Sequence, residues 1–447
     1  MFRPSFQRPP RQPCRHGRLA WLAVLCAAFA SVNSHAQQAL TLDQALRAAQ
    51  DRSRQLVAQE SAASASREMA VAAGQLPDPT LKAGINNLPI NGPDRFSLTR
   101  DFMTMRSIGV AQEITRSDKL KARSARFDRE AQTAEAARAL ALATLRRDTA
   151  MAWLDRYYQE RMLDVLRTQR TEASLQIEAA DGAYRGGRGA QTDVFVARSA
   201  VALIDDRLRQ TERQVATAKT RLARWVGEVA DLTLGPAPPM AALQLDWSQV
   251  ESELTHHPEI AMRIQQEEMA RADVDVAQSN KRSDWSVELM YSQRGPAYSN
   301  MVSVNLSIPL QIDQKHRQDR EVAAKLAVVE QLRAQREEAT REHLAETRSW
   351  WQEWQSNRER LAQYDASLIP LATQRTSAAM AAYRGGAGGG AGSLGAVLEA
   401  RRMEIDTRLD RLRLESETAS RWAQLEYLVS PAHEAASPAR PAARTEP

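Results

Sequence analysis

Cysteine is almost absent from this sequence, and aromatic residues are few. The only two cysteines among 447 residues, Cys14 and Cys26, both lie in the first 36 residues. Without that segment the chain keeps no thiol, which excludes disulfide and thiolate chemistry. Aromatic residues make up 5% of the chain, so long packed helices are favoured over a conventional large core.

The first 36 residues have the pattern of a secretory signal peptide. Five arginines and no acidic residue precede the apolar run 19–30, and the small residue Ala36 follows as the expected cleavage site. The run has about 12 residues, short of the roughly 20 that a spanning helix needs. Lipidation at Cys26 is not expected, because Leu25 stands where lipoprotein processing requires a small side chain. These features predict export directed by a cleavable signal peptide.

Charge outside the signal segment is balanced. Removing its five arginines leaves 55 Lys and Arg residues against 55 Asp and Glu residues. Electrostatic binding of nucleic acid needs a clustered positive charge, so no nucleic-acid partner is expected.

The chain contains two copies of one plan. The motif Ala-Tyr-Arg-Gly-Gly occurs at 183–187 and returns about 200 residues later at 382–386, and Leu-Thr-Leu-Asp at 40–43 is echoed by Leu-Gln-Leu-Asp at 243–246. The pattern predicts a first repeat over 37–227, a linker over 228–242 and a second repeat over 243–429. A disordered Pro/Ala-rich tail is expected over 430–447.

Each repeat is predicted to contain a very long helix. The segment 118–183 has no proline and no glycine before Gly182, with Ser117 as candidate N-cap, and would be about 99 Å long. Its counterpart over 314–383 has Asp313 as candidate cap. It also contains Pro370, which is expected to kink or interrupt the helix.

Four short segments alternate between apolar and polar residues, at about 79–87, 105–115, 284–293 and 301–310. Each has about the length of a transmembrane β-strand with one lipid-facing side. A soluble sheet would alternate in the same way. The predicted lipid-facing residues include Trp285, Leu289, Tyr291, Val304 and Leu306, and the predicted pore-facing residues include Glu113, Glu288, Ser303 and Asn305.

Four strands cannot close a barrel, and open sheet edges are not tolerated in lipid. Because the smallest known barrels have eight strands, several chains must contribute, and three would supply twelve. The predicted fold class is therefore mainly α with a small transmembrane β-barrel, built from a duplicated helix-strand-strand-helix-helix repeat.

The sequence resembles the TolC family of outer-membrane efflux proteins from about residue 40 to residue 429. The resemblance rests on Leu-Thr-Leu-Asp-Gln-Ala-Leu at 40–46, Gly-Val-Ala-Gln-Glu at 109–113, and the hairpins 184–197 and 383–400. It implies a homotrimer with a 12-stranded barrel in outer-membrane lipid and a long α-helical periplasmic tunnel. The inner end of such a tunnel docks a periplasmic adaptor protein and an inner-membrane RND pump.

The segment 77–106 is similar to the heavy-metal branch of that family, the CzcC- and CusC-like proteins. This implies a channel subunit that passively conducts substrates, with heavy-metal cations as the expected cargo. Neither an enzymatic activity nor a cofactor nor a resident metal is expected.

The turns between the paired helices are candidates for a periplasmic gate or an adaptor-docking site. The alternative is that they merely end helices. In the first hairpin Asp193 is expected to cap the returning helix, whereas in the second hairpin that role passes to Ser393. The candidate residues are Tyr184, Arg185, Gly187, Asp193, Tyr383, Arg384 and Gly386.

Isolated methionines and histidines carry weaker signals. The thioethers of Met103 and Met105 suit Cu(I) or Ag(I), although apolar filling of an extracellular loop is the favoured interpretation. A chelating pair at His256 and His257 is not expected, because adjacent residues point to different faces. His316 and His343, surrounded by charged helical residues, are predicted to be solvated.

A periplasmic coiled-coil adaptor or scaffold is the alternative function. An adaptor would have one helical hairpin flanked by Gly-containing β-rich domains, whereas this chain has two complete repeats. The Gly-rich stretch 385–392 lacks a following Gly-Lys-Ser/Thr, so it does not predict a phosphate-binding loop. The channel is therefore the favoured prediction.

Overall fold

A computed structural model of the chain describes residues 39–243, 257–385 and 393–428. The predicted signal peptide, the C-terminal tail and Gly386 lie outside the described residues. Within the described ranges, no helix combines the length and the apolar composition needed to cross a membrane.

In both halves of the chain, the described residues form a helical segment before two strands, a long helical segment after them, and a returning helix. The first half comprises α1 (Leu42–Arg52), α2 (Arg54–Ala73), β1 (Thr80–Asn86), β2 (Met105–Ile114), α3 (Ser117–Arg185) and α4 (Gln191–Val226). The second half comprises α5 (Pro258–Ser279), β3 (Trp285–Gln293), β4 (Met301–Ser307), α6 (Gln318–Gln363), α7 (Ile369–Arg384) and α8 (Leu394–Glu426).

The start of α3 is held by a residue of the other repeat. Ser117 is the first helical residue and Arg116 the N-cap, so the prediction that Ser117 caps the helix was wrong. The backbone N–H of Arg116 donates to Oδ1 of Asp284 at 3.0 Å, and Nζ of Lys119 donates to Oδ2 of the same carboxylate at 2.6 Å. A carboxylate beside the positive end of the helix dipole makes a local side-chain cap unnecessary.

The long helix of the second repeat is shorter than expected at its start and is interrupted. The expected cap Asp313 lies before α6 and contacts the ring of His316 instead, at 2.7 Å, so that prediction was also wrong. The interruption expected at Pro370 is present as a five-residue π-helical turn, Tyr364–Leu368, directly before α7. Proline has no backbone N–H, and a widened turn accommodates the missing hydrogen bond.

The waist cluster is the largest apolar core and joins both halves of the chain. Within it, the indole N–H of Trp153 donates to the carbonyl of Leu40 at 3.0 Å, and Leu40 forms a parallel bridge with Leu234 of the linker. The linker is therefore packed across the long helices. The largest side chains of the cluster are Leu40, Leu42, Leu46, Leu145, Trp153, Leu154, Tyr158, Leu222, Trp354, Trp422 and Leu425.

The four strands form one antiparallel sheet in the order β1-β2-β3-β4. The register separates the side chains by type. The apolar face carries Leu81, Ala83, Ile85, Ile108, Val110, Ile114, Trp285, Val287, Leu289, Tyr291, Val302, Val304 and Leu306, with Arg106, Gln112 and Gln293 nearer the strand ends. The polar face carries Thr80, Lys82, Gly84, Asn86, Met105, Ser107, Gly109, Ala111, Glu113, Ser286, Glu288, Met290, Ser292, Met301, Ser303, Asn305 and Ser307.

The last strand ends at Ser307, three residues before the end of the alternating segment 301–310. Pro309 lies in the remaining part and cannot donate to a sheet ladder, so it marks the end of regular pairing.

Gly109 lies where β2 and β3 approach closely. A Cβ atom added there would lie 2.7 Å from the Leu289 carbonyl oxygen and 3.0 Å from Cα of Met290. Gly84, on the same face of β1, has nothing nearer than 3.9 Å. The missing side chain at Gly109 also leaves room for Lys82 to reach across β2 to Glu288, where Nζ and Oε2 are 2.6 Å apart.

We expect Gly109→Ala to lower the free energy of unfolding by about 1–3 kcal/mol, because the added methyl group forces β2 and β3 apart. Gly84→Ala is the matched control and should change it by less than about 0.5 kcal/mol. Chemical denaturation followed by circular dichroism would compare them. Equal effects of the two substitutions would contradict the close approach.

Candidate functional site: the two-faced sheet and the helical tip

The apolar face of the sheet is exposed in the single chain. Val304 and Leu306 retain 69% and 61% of their accessible surface. All five residues predicted to face lipid lie on this face. An apolar surface of this extent needs a cover, which lipid or another protein must supply.

The polar face holds the four residues predicted to face a pore: Glu113, Glu288, Ser303 and Asn305. Glu288 is the ion-pair partner of Lys82, so this carboxylate adds little net negative charge to the face. Beside this pair, the Ser107 and Ser292 hydroxyl groups are 3.0 Å apart and buried. Glu113 is exposed near the helical end of β2. The face is therefore wettable without being strongly charged.

The loop between β1 and β2 is folded onto the loop between β3 and β4. The guanidinium of Arg294 donates to the carbonyl of Phe102 through Nε at 3.0 Å and Nη2 at 2.6 Å. Asp101 accepts from the backbone N–H of Met103 at 2.8 Å. Met103 is an exposed residue of this loop, whereas Met105 begins β2 and is partly buried on the polar face. The two methionines therefore have different surroundings.

The turns that join α3 to α4 and α7 to α8 are called the first and second tip hairpins. The first tip hairpin closes by a Schellman motif. Gly187 has φ of +67°, a left-handed conformation that favours glycine. The N–H of Arg188 donates to the carbonyl of Ala183 at 2.9 Å, and that of Gly187 donates to Tyr184 at 3.0 Å. The N-cap of α4 is Ala190, so the prediction that Asp193 caps this helix was wrong in position. Asp193 is the third helical residue, and its Oδ2 accepts from the N–H of Ala190 at 3.2 Å.

The two tyrosines of the repeated motif have different environments. Tyr184 is exposed, whereas Tyr383 packs against a small apolar cluster that includes Val194 of α4 and Leu394 of α8. Tyr383 thus joins the two tip hairpins. The expected cap of the second hairpin is confirmed, since Oγ of Ser393 accepts from the N–H of Ala396 at 3.2 Å.

Polar contacts tie α7 and the π-helical turn to α8. The carboxylate of Asp365 in the turn accepts from Arg411 through both oxygens, at 2.6 and 3.1 Å. Further along, the buried Glu404 accepts from Thr373 at 3.2 Å and from Arg408 at 2.9 Å. The first hairpin also has ion pairs between its helices, such as Arg170 to Asp205 at 3.0 Å. Its apolar residues Leu166 and Val201 belong to a cluster that includes Leu409 of α8.

Two buried histidines whose rings meet at a tilt lie at the start of α5 and in α6, and the sequence did not predict their contact. The rings of His257 and His343 have centroids 3.9 Å apart, and the two residues keep only 7% and 6% of their accessible surface. The prediction that His343 is solvated was wrong. Its burial is signalled by Ala339 and Thr347, four residues away on either side, which are also buried.

Burial lowers the pKa of His257 to about 3, helped by the positive potential of His343 and Arg147, while a hydrogen bond to the backbone of Leu428 opposes the shift. Burial also lowers the pKa of His343, against the charges of Glu259 and Glu346. Both rings are therefore neutral at pH 7. His257 is also the N-cap of α5, where its Nδ1 accepts from the N–H of Glu259 at 3.4 Å.

Among the described residues, no three His, Cys, Asp or Glu side chains converge to hold a metal ion. No protein-family model matches the sequence, and no curated protein matches it.

Solved structures of outer-membrane channels share this architecture, so the chain has the mainly helical fold with a small antiparallel sheet that the resemblance to the TolC family implied. The outer-membrane channel OprN is 16% identical, with a TM-score of 0.70 over 87% of this chain and 90% of that one. VceC of Vibrio cholerae is 17% identical, with a TM-score of 0.69 over 87% of this chain and 96% of VceC. CusC is 14% identical, with a TM-score of 0.70 over 87% of this chain and 92% of CusC. At these identities the likeness establishes the fold.

The buried histidine pair should make stability depend on pH. A folded-state pKa below the unfolded value of 6.5 means that the unfolded chain binds more protons, so the stabilisation is complete above pH 6.5 and is lost as pH falls toward about 3. For His257 alone we expect a loss of about 2 kcal/mol between pH 7 and pH 5.

His257→Asn keeps a capping side chain and removes the titrating group, so its unfolding free energy should fall by about 2 kcal/mol less over the same pH interval. His316→Gln removes an exposed histidine and serves as the control. Denaturant titrations at each pH would measure the difference. The same pH slope in the wild type and His257→Asn would contradict the assignment.

Proposed function

We propose that this chain is the outer-membrane channel subunit of a tripartite efflux system. In this proposal three copies form a 12-stranded barrel and a helical tunnel that extends into the periplasm. The homotrimer receives substrates from a periplasmic adaptor and an inner-membrane RND pump and conducts them passively to the exterior. A cleavable signal peptide over 1–36 would direct its export, and the role needs no catalytic site and no cofactor.

The two-faced sheet is the observation that carries this proposal. Its exposed apolar face suits lipid, its polar face suits water, and β1 and β4 are left as edge strands. Edge strands in lipid must pair, because each unpaired backbone group costs several kcal/mol. Pairing the β4 edge of one chain with the β1 edge of the next meets this requirement when the ring closes.

The helices support a tunnel of matching length. With 69 residues, α3 is about 104 Å long, and it runs from the end of β2 to the tip hairpin. The tip therefore lies far from the sheet along the helical axis. A duct of this length would reach deep into the periplasm, where an adaptor or pump can meet it.

The adaptor or scaffold alternative has less support. An adaptor or scaffold role does not explain what covers the exposed apolar face of the sheet, and it does not explain why the chain has two repeats. Similarity to solved outer-membrane channels over 87% of the chain also favours the channel.

Heavy-metal cations are the proposed cargo, on the resemblance of the segment 77–106 to the heavy-metal branch. The polar face is compatible with cations but does not attract them strongly, because Lys82 neutralises Glu288. Glu113 would then provide one carboxylate per chain to the wall. Passage through such a duct depends on the pump rather than on the wall charge.

The mature protein should be recovered from outer membranes as a detergent-stable trimer. Leu306→Arg should impair barrel assembly by roughly 2 to 4 kcal/mol, because the charge would enter lipid, whereas Asn305→Arg on the polar face should be better tolerated. Trimer yield after extraction measures both effects. Recovery of the wild type as a soluble monomer would overturn the proposal, and equal damage from the two variants would overturn the assignment of faces.

We propose further that the tip turns form the gate or the docking site for an adaptor. Pro370 and the π-helical turn give the second hairpin a bending point, and its exposed polar ties can exchange with water more readily than apolar packing. Tyr383 links this hairpin to the first one. Arg185 is paired with Asp181 at 2.5 Å, which reduces repulsion between the arginines of three chains at the tip.

Replacing Tyr383 and Arg384 with Ala should raise single-channel conductance while trimer yield stays unchanged, because the link between the hairpins is lost. The matched variant Tyr184→Ala, at an exposed site, should raise conductance less. Planar-bilayer recordings and antibiotic sensitivity would report the leak. Unchanged conductance with lost efflux would instead assign Tyr383 and Arg384 to adaptor docking.

A further inference from the structure

The methionines of the sheet lie on its polar face. Met105, Met290 and Met301 all project there, and every other side chain on that face is polar or no larger than a methyl group. The apolar face carries Leu, Ile, Val, Trp and Tyr but no methionine. If these methionines were only apolar filler, they would be expected among the other large apolar side chains. Their placement therefore calls for a property other than hydrophobicity.

The register brings two of these methionines together. Met290 pairs with Ser303, and Met301 pairs with Ser292, so the two methionines are diagonal neighbours on β3 and β4. Diagonal neighbours lie about 7–8 Å apart, a distance that two long side chains can bridge. Met105 lies on the same face at the start of β2, two strands from Met301.

The surroundings of the pair favour a soft ligand. Met301 keeps 44% of its surface, so its thioether is available to solvent rather than enclosed in a core. The side chains paired with the two methionines, Ser303 and Ser292, are neutral hydroxyls. Glu288, two residues from Met290, is paired with Lys82 and is not free to bind a hard divalent cation. Thioethers are soft donors, which prefer Cu(I) to Mg(II), Ca(II) or Mn(II).

We propose that Met290 and Met301 form a thioether site for a soft monovalent cation, Cu(I) or Ag(I), on the wall of the channel. The site rests on the proposed function in one respect, namely that the polar face lines the lumen. Binding there would be weak and exchangeable, as a conduction path requires, since both ligands are neutral, Met301 is exposed and Met290 is only partly buried. Three copies in a trimer would place a ring of such sites in the barrel.

Silver is the practical probe, because it is soft and stable as a monovalent ion. The full mature protein in detergent would be titrated with silver nitrate by calorimetry, in chloride-free buffer. The double variant Met290→Leu/Met301→Leu keeps the side-chain size and removes both sulfur atoms, and we expect its affinity for silver to fall by about tenfold or more. Met69→Leu, at an exposed methionine of α2, is the matched control and should leave the affinity unchanged.

Methyl resonances of labelled methionine give a second readout. The ε-methyl signals of Met290 and Met301 should shift first during the titration, before those of Met69 and Met403. Equal silver affinity in the wild type and the double variant, or simultaneous shifts of all exposed methionines, would overturn the site.

Recordings in potassium nitrate separate this proposal from the proposed function. Conductance of the wild type without silver tests the channel, and its absence would count against the channel alone, because the calorimetric titration does not require conduction. In a conducting trimer, silver should reduce the potassium current at concentrations about tenfold lower in the wild type than in the double variant. Normal conductance with identical silver block would overturn the methionine site and leave the channel intact.

Discussion

The unpaired edges of a small sheet constrain the whole molecule. One chain supplies four strands, and β1 and β4 have no further strand beside them in the described part of the chain. An edge can be left open only in water, yet the sheet presents an apolar face that water does not favour. In the proposed channel, other copies of the chain continue the sheet and meet both requirements at once. The long helix α3 then carries the tip hairpins away from the sheet by about 104 Å.

The faces of the sheet were predictable because alternation is a local property. Successive side chains along a strand lie on alternate faces of the sheet, so the sequence of β3 alone places Leu289 and Glu288 on different faces. The helix starts were not predictable in the same way. Asp284 serves the start of α3 from 168 residues away, and neither Arg116 nor Ser117 signals this partner. The spacing of Ala339 and Thr347 marks the buried face around His343, but the contact of its ring with His257, at the start of α5, depends on packing that no local pattern encodes.

The two repeats share a plan but differ in the continuity of their long helix. Helix α3 runs unbroken from Ser117 to Arg185, whereas a π-helical turn separates α6 from α7 in the second repeat. Asp365 in that turn is paired with Arg411 of α8, and such an ion pair depends on correct alignment and on water access. The sequence predicted the interruption at Pro370, but the polar ties on either side of it became evident only when α7 and α8 were placed together.

The waist cluster, which contains the hydrogen bond from Trp153 to Leu40, also constrains the order in which the chain can fold. The waist cluster takes residues from Leu40 at one end of the described chain to Leu425 at the other. Such contacts close loops of several hundred residues. Closing them costs conformational entropy and is slow, and the stabilising contacts form only when the last helix is present. Neither repeat can complete this core alone. The core therefore forms only after the last helix is available, and until then the partly folded chain exposes apolar surface that favours aggregation.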